Sequence, residues 1–312
     1  GIYFLLKWFE VKEIRYMVWA GVCIGLSNYI RPAGLYFSIA LTVFFVTYIW
    51  LNHISKQKIW HVVLLICSIL TIMAPWYVRN YIEFRKVGFV TSSIYNLYIY
   101  GAVATEALST ATPFDEVNTD FLNKLRERTP YGHTRWSFSN EQYMRTIAKN
   151  IIMTHPLIFA KVYALGLNTF LFSGNYHFLL SKYDLIRIPE NISFSLYFAQ
   201  HGFFQTLEKA ISLSTSLYFF LAIVGKIAWF FLIIGSLAGA WMYRKVPLAL
   251  LFFISMFYFC ITIASVTIGA ESRHRYMLNP LIFLFFMALV SRLREIRAQR
   301  RKLKSYESST DN

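Results

Sequence analysis

The chain has 312 residues, of which 56% are hydrophobic, 19% aromatic and only 15% charged. This balance, with several long uncharged runs, excludes an ordinary soluble domain and predicts an all-α integral membrane protein whose main partner is the lipid bilayer. The net charge of +15 would indicate nucleic acid in a soluble chain. Here much of the excess flanks apolar runs, where it sets orientation, so we expect no nucleic-acid partner.

Six apolar runs predict about six transmembrane helices. A helix needs about 20 residues to cross a hydrocarbon core of about 30 Å, so the first and last runs are short and depend on charged anchors such as Arg31 and Arg275. The break at Tyr29 to Gly34 predicts a tight turn between two helices. The runs cover residues 16–30, 33–51, 61–78, 217–243, 247–268 and 276–291.

The distribution of Lys and Arg predicts the topology, because short cytoplasmic segments are enriched in them. Four segments, 1–15, 52–60, 243–246 and 291–312, carry 14 such residues in 50 positions, whereas residues 79–214 carry 13 in 136 and also hold 10 acids. We therefore expect a multi-pass protein of the cell (inner) membrane with both ends cytoplasmic. The predicted divisions are helices 1–3 in 1–78, an extracytoplasmic loop in 79–214, helices 4–6 in 215–291 and a basic cytoplasmic tail in 292–312.

The run from Ile151 to Phe172 is ambiguous, since it is apolar enough to span but contains His155-Pro156, Lys161 and Asn168. A single crossing here would invert the topology of everything that follows. The prediction is a helix in the outer interface, or one that dips in and returns, with a true span paired with another as the alternative.

Three predicted extracytoplasmic segments carry side chains suited to chemistry. Arg79 follows Pro75-Trp76-Tyr77 at the end of a span, where it is either a plain interface anchor or part of an anion site. Tyr95, Asn96 and Tyr98 alternate aromatic and polar groups, which suits stacking on a sugar and hydrogen bonding to its hydroxyls. The third segment, Glu271-Ser272-Arg273-His274-Arg275-Tyr276, is a dense charged turn between two apolar runs; hydrocarbon does not hold such charges unpaired, so it predicts a surface site for an anion.

These motifs, in this order and each at a helix end, resemble the polyprenyl-phosphate-dependent glycosyltransferases of the GT-C fold, the group with bacterial protein O-mannosyltransferase-like enzymes and the lipid A aminoarabinose transferase. The similarity begins with Arg31-Pro32-Ala33-Gly34 and ends with the charged turn and Pro280. It implies transfer of a sugar from a polyprenyl-phosphate carrier to a lipid, glycan or protein acceptor on the extracytoplasmic face.

The resemblance also implies roles for single residues. Arg273 and Arg275 are expected on the leaving phosphate, supported by Arg31 and Arg79, because a guanidinium can grip two phosphate oxygens together. Glu271 would orient an arginine, contact the acceptor or simply balance charge, and Tyr276 would shape the start of the last helix. The family's catalytic carboxylate is expected upstream of Gly1, so no residue of this chain is assigned a catalytic role. No cofactor is indicated, no metal site is expected, and metal dependence is left open.

Two further features have competing explanations. Lys226 lies within the run 217–243, where it either reaches outward to the headgroups or adds a cation near the carrier phosphate. Asp115, Glu116 and Asp120 are expected to be a solvated acidic patch and not a metal site. Two other functions stay open, a transporter or flippase for a lipid-linked anion and a non-catalytic membrane fragment.

Overall fold

The computed structural model describes residues 1–30, 37–51, 58–129, 137–172, 194–213, 216–262, 266–267, 275 and 278–310. These residues are 90% helical and contain no β-strand, which confirms the predicted all-α class for them. The helices are α1 (Ile2–Val11), α2 (Ile14–Ile30), α3 (Phe37–Leu51), α4 (Ile59–Phe84), α5 (Ser92–Asn96), a π-helical segment (Leu97–Ala102), α6 (Val103–Ser109), α7 (Phe114–Arg128), a short 3-10 turn (Phe138–Asn140), α8 (Glu141–Thr154), α9 (Pro156–Phe172), α10 (Phe194–Leu213, broken at Gly202), α11 (Ser216–Met242), α12 (Pro247–Thr262) and α13 (Asn279–Thr310).

Helices α2 and α4 pack side by side and run in the same direction. Gly21 lies against Leu65, and Gly25, one turn later, lies against Ile72. A Cβ on Gly21 would come within 2.6 Å of the Leu65 carbonyl oxygen, so the missing side chain is what lets the two backbones approach.

Helix α3, which links them in the sequence, packs against α4 and runs in the opposite direction. At its C-terminal end, Phe45 packs edge-on against Trp8 of α1 at 5.4 Å between ring centroids. The indole of Trp8 also donates a 2.9 Å hydrogen bond to Nδ1 of His61, at the start of α4. The end of α3 and the start of α4 therefore lie at the same end of the helical bundle, and α3 is antiparallel to α4.

The C-terminal helices repeat this arrangement. The ring of Trp229 in α11 lies 6.0 Å from that of Phe283 in α13, and Gly235 and Gly239 further along α11 lie against Phe286 and the Phe285 backbone. Residues further along α11 contact residues further along α13, so the two helices are parallel. Helix α12 is antiparallel to α3, because the start of α3 meets the end of α12, where Phe37 lies 5.2 Å from Tyr258 and 6.1 Å from Phe259.

The π-helical segment and helices α5 to α8 form a separate layer that packs against α9. Tyr98, Phe121 and Met144 are buried in one cluster that joins the π-helical segment, α7 and α8. Helices α8 and α9 meet at His155 with a bend of 105°, and Pro156 opens α9 at the position where its missing N–H costs nothing. The ambiguous run 151–172 thus divides between two helices; whether it enters a membrane stays a prediction.

Among the described helices, two are long and apolar enough to cross a membrane, namely Ile59–Phe84 and Ile223–Met242, and the bent pair α8 and α9 would be a third if it is a single broken span. Shorter apolar helices cover Phe37–Trp50 and Pro247–Thr262. Membrane-spanning character is supported for this part of the chain, whereas six spans stay a prediction. Helix α13 also continues without interruption past residue 291, where the sequence suggested the border between span and tail.

Candidate functional site

Several of the predicted motifs leave the helical bundle at one end, which we call the motif end. It is defined by Tyr29 near the end of α2, Phe37 at the start of α3, Trp76 in the last part of α4 and Tyr258 near the end of α12. Tyr29 packs edge-on against Trp76 at 6.0 Å, and Phe37 contacts Tyr258. The segment that holds Arg31 connects two of these positions along the chain.

Arg79 lies at the motif end on a helix terminus that is firmly built. Trp76 donates through Nε1 to the Phe89 carbonyl at 2.8 Å, and the buried Asn80 donates to the Gly88 carbonyl at 2.8 Å. Arg79 itself is exposed, donates to Asn80 Oδ1 at 2.9 Å and lies 5.3 Å over the Trp76 ring. An exposed guanidinium held in this way is suited to an anion, and its predicted phosphate role stays a prediction.

The aromatic segment Tyr95 to Tyr98 crosses from α5 into the π-helical segment, a geometry that is rare and often found at functional sites. Tyr98 is fully buried and donates to the Phe121 carbonyl at 3.1 Å. Burial, together with the nearby Tyr143, raises the pKa of the Tyr98 phenol well above its usual value. Its ring therefore has no exposed face for a sugar, whereas Tyr95 and Asn96 are partly exposed; their sugar-binding role stays a prediction.

Arg275 is buried, with 1% of its surface exposed. Its Nη1 donates to the carbonyl oxygens of Phe170 and Leu171 in the last turn of α9, and its guanidinium stacks over Trp229 of α11 at 3.7 Å. Those carbonyls belong to the four that an α-helix leaves without intrahelical partners at its C-terminus. Arg275 thus caps α9 and joins it to α11, a contact that sequence reasoning missed. Its predicted role on the leaving phosphate stays a prediction.

Helix α9 is seated closely against the same region. Tyr163 donates to the Cys260 carbonyl at 2.9 Å, and Gly166 lies so close to the backbone of Thr267 that a Cβ would overlap its carbonyl oxygen. Phe170, one turn further, is fully buried. Two successive contacts, at Tyr163 and Gly166, therefore fix α9 against the end of α12 and against Thr267.

A cleft of about 490 Å³ lies beside this junction, between the last turn of α9 and α11. Lys226 and Asn168 supply its polar lining, and Phe172, Phe230 and two further apolar side chains supply the rest. Lys226 precedes Trp229 by three residues, so both lie on the same face of α11. Lys226 is the cation that sequence reasoning left between two explanations, and the structure places it on this cleft. The sequence carried no signal that Asn168, 58 residues earlier, would join it.

Four predicted site residues, Arg31, Arg273, Glu271 and Tyr276, lie outside the described residues, as does most of the predicted turn at 29–34. Asp115, Glu116 and Asp120 are exposed on α7, and Asp120 forms a surface ion pair with Lys124 at 2.6 Å. Among the described residues, no group of three or more His, Cys, Asp or Glu side chains could hold a metal ion.

The described fold defines a helical protein with apolar helices of membrane-crossing length and a polar, partly aromatic junction beside them. Comparisons with protein-family models, curated proteins and solved structures found no match to this chain.

Proposed function

We propose that this chain is part of a membrane glycosyltransferase that transfers a sugar from a polyprenyl-phosphate carrier to an acceptor on the extracytoplasmic face of the membrane. Its role in that reaction is to bind the carrier. The phosphate of the carrier is the leaving group, and it gains negative charge as the glycosidic bond breaks. Fixed cations in a poorly solvated site stabilise that charge.

One observation carries the proposal: distant parts of the chain that contain the motifs meet at one end of the bundle. Tyr29 and Trp76 are in contact there, and Phe37 meets Tyr258 close to where α12 ends. Along the chain, Arg31 and Arg79 follow Tyr29 and Trp76 by two and three residues, and Arg273 and Arg275 come after α12. This convergence is the arrangement that the resemblance to GT-C glycosyltransferases leads us to expect, and it supports a shared anion site.

The test is sugar transfer by the full-length protein in lipid nanodiscs, supplied with a polyprenyl-phosphate sugar labelled on the sugar. We expect label to move to an acceptor and free polyprenyl phosphate to form. Arg273→Ala and Arg79→Ala should each lower the rate, by about tenfold or more if each guanidinium contributes a charged hydrogen bond in the transition state.

Arg85→Ala is the matched control, because Arg85 is also exposed and lies just beyond the same helix as Arg79. Loss of activity in Arg79→Ala but not in Arg85→Ala would support a specific site. Equal rates in wild type, Arg79→Ala and Arg273→Ala would contradict the carrier-phosphate assignment, and no transfer by the wild-type protein would contradict the proposed reaction.

The bent pair α8 and α9 favours a second candidate, a transporter of a lipid-linked anion, because broken helices around a charged site are typical of transporters. Lys226 beside the last turn of α9 fits that arrangement. Movement of a labelled carrier lipid between leaflets of protein-containing vesicles, without cleavage of its glycosidic bond, would favour transport over transfer.

A further inference from the structure

The cleft between α9 and α11 combines two unlike surfaces. Phe172, Ile227, Phe230 and Phe231 line it with hydrocarbon and aromatic rings, whereas Lys226 and Asn168 contribute an ammonium and an amide. The cleft is broad and open on one side. Such a lining matches an amphiphile that has both a chain and a polar head.

The two polar side chains have no partners in the described part of the protein. Neither Lys226 nor Asn168 makes a hydrogen bond or an ion pair with any described residue. Both lie on helices with long apolar sequences, and α11 from Ile223 to Met242 is a candidate span. Both side chains are exposed on the surface of the described protein. Where that surface faces hydrocarbon, a polar group is costly without a partner, so a ligand or headgroup would satisfy it.

The surface around the opening is apolar. Ile223, Ile227, Phe230 and Phe231, all on α11, are exposed by 42 to 62%. In a helix that crosses a bilayer, such side chains face lipid, so the cleft would open sideways into the membrane. Lys226 lies within one turn of the start of this span candidate, which puts its ammonium within reach of the headgroup region.

The walls of the cleft are held in place before any ligand binds. The rings of Phe172 and Phe230 meet across it at 5.8 Å. Arg275 holds the last turn of α9 by two carbonyl oxygens and stacks on Trp229 of α11. A site fixed in this way loses little conformational entropy when a ligand enters.

We propose that this cleft binds the phosphate group of a membrane lipid that enters from the bilayer. Lys226 pairs with the phosphate, the Asn168 amide donates a hydrogen bond to one of its oxygens, and the Phe172 and Phe230 rings pack against the first carbons of the chain. The phosphate is that of an isoprenyl carrier or of a phospholipid, and the relative affinities of the two lipids distinguish them. Binding at this site does not require that the protein transfer a sugar, although a carrier bound here would be the donor of the proposed reaction.

The experiment measures lipid binding to the full-length protein in detergent by native mass spectrometry. The probes are undecaprenyl phosphate, undecaprenol, phosphatidylglycerol and inorganic phosphate. We expect a phosphate lipid to bind more tightly than undecaprenol and than inorganic phosphate. Lys226→Met should weaken that binding by about tenfold or more, as expected for the loss of a charge-assisted hydrogen bond, and Lys226→Arg should retain most of it.

Lys245→Met is the matched control, since Lys245 is an exposed lysine just beyond the other end of α11; its affinity should equal that of wild type. Tighter binding of undecaprenyl phosphate than of phosphatidylglycerol identifies the carrier as the ligand, and the reverse order identifies a phospholipid. Equal affinity for undecaprenol and undecaprenyl phosphate, inorganic phosphate as tight as either lipid, or unchanged affinity in Lys226→Met would overturn the proposal. Lipid binding without sugar transfer would leave this site standing and reject the enzymatic function.

Discussion

Replacing Arg275 tests whether this buried arginine holds α9 to α11. In Arg275→Met the two carbonyls of Phe170 and Leu171 lose their donor, and Trp229 loses the cation stacked on it. A hydrogen bond to a charged group contributes about 1.5 to 3 kcal/mol and a desolvated cation–π contact about 2 kcal/mol. Relief from burying the guanidinium offsets part of this sum, so the expected net loss is about 3 kcal/mol.

The comparison is with Arg79→Met, which also removes a guanidinium stacked on a tryptophan. Arg79 is exposed, and its ring contact with Trp76 is longer, at 5.3 Å. An exposed cation–π contact contributes about 0.5 to 1 kcal/mol and the hydrogen bond to Asn80 about 0.5 to 1.5 kcal/mol. This variant should therefore lose about 1 to 2 kcal/mol, less than Arg275→Met. Unfolding of both purified proteins by sodium dodecyl sulfate in mixed micelles, followed by circular dichroism, gives the two free energies.

Arg275→Lys separates charge from shape. Lysine keeps the cation but lacks the planar fork, so we expect it to recover only part of the loss. A double variant with Trp229→Leu measures the coupling between the stacked pair. If Arg275→Met loses no more stability than Arg79→Met, the capping role of Arg275 is wrong.

Three other variants address packing, titration and topology. Gly239→Ala should destabilise the protein by about 3 kcal/mol in the same assay, because its Cβ would overlap the Phe285 carbonyl oxygen and push α11 from α13. Tyr98→Phe should lose about 1 kcal/mol near pH 7, chiefly through the hydrogen bond to the Phe121 carbonyl. Burial raises the pKa of Tyr98, so its stabilising effect is complete below about pH 10 and is lost as the pH rises further, and stability curves of wild type and variant should differ in slope there. In intact cells, Ser109→Cys should react with a membrane-impermeant maleimide and Gln299→Cys should not, if the predicted topology is right.

Each of these has a control. Ala238→Val places a larger side chain on the exposed face of the same helix as Gly239 and should change stability by less than about 0.5 kcal/mol. Tyr100→Phe changes a partly exposed tyrosine two residues from Tyr98 and should change stability near pH 7 by less than about 0.5 kcal/mol. For the labelling, Cys67 is exposed in this structure and is first replaced by serine. Labelling of position 299 but not 109 from outside would reverse the predicted orientation.

Local patterns in the sequence predicted the all-α class but not where some of the helices stop. The apolar run 61–78 corresponds to α4, which continues to Phe84, since Tyr81 and Ile82 are as compatible with helix as the residues before them. The division at residue 291 follows a change from apolar to basic side chains. Lysine and arginine are good helix formers, so α13 crosses that change without a break. Hydropathy indicates whether a segment faces lipid or water, but it carries little information on where a helix begins or ends.

The candidate site was harder to predict, because its contacts join residues far apart in the chain. Arg275 reaches carbonyls of α9 that lie 105 and 104 residues before it. A charged turn beside an apolar run indicated a surface site, and nothing local indicated a helix terminus as its partner. Tyr98 shows the opposite difficulty, since an alternating aromatic and polar segment looks the same whether its rings bind a sugar or fill a core. Only the three-dimensional position of Phe121 separates the two.

Helix α13 is one uninterrupted helix. Its 32 residues extend about 48 Å at the usual rise per residue, from an apolar half to a strongly basic half. At its first turn, the Leu278 amide donates to the Arg275 carbonyl at 2.8 Å and the Ile282 amide donates to Leu278. Binding that tilts the basic half of α13 would therefore shift its first turn as well. That turn is bonded to the backbone of Arg275, the residue that holds α9.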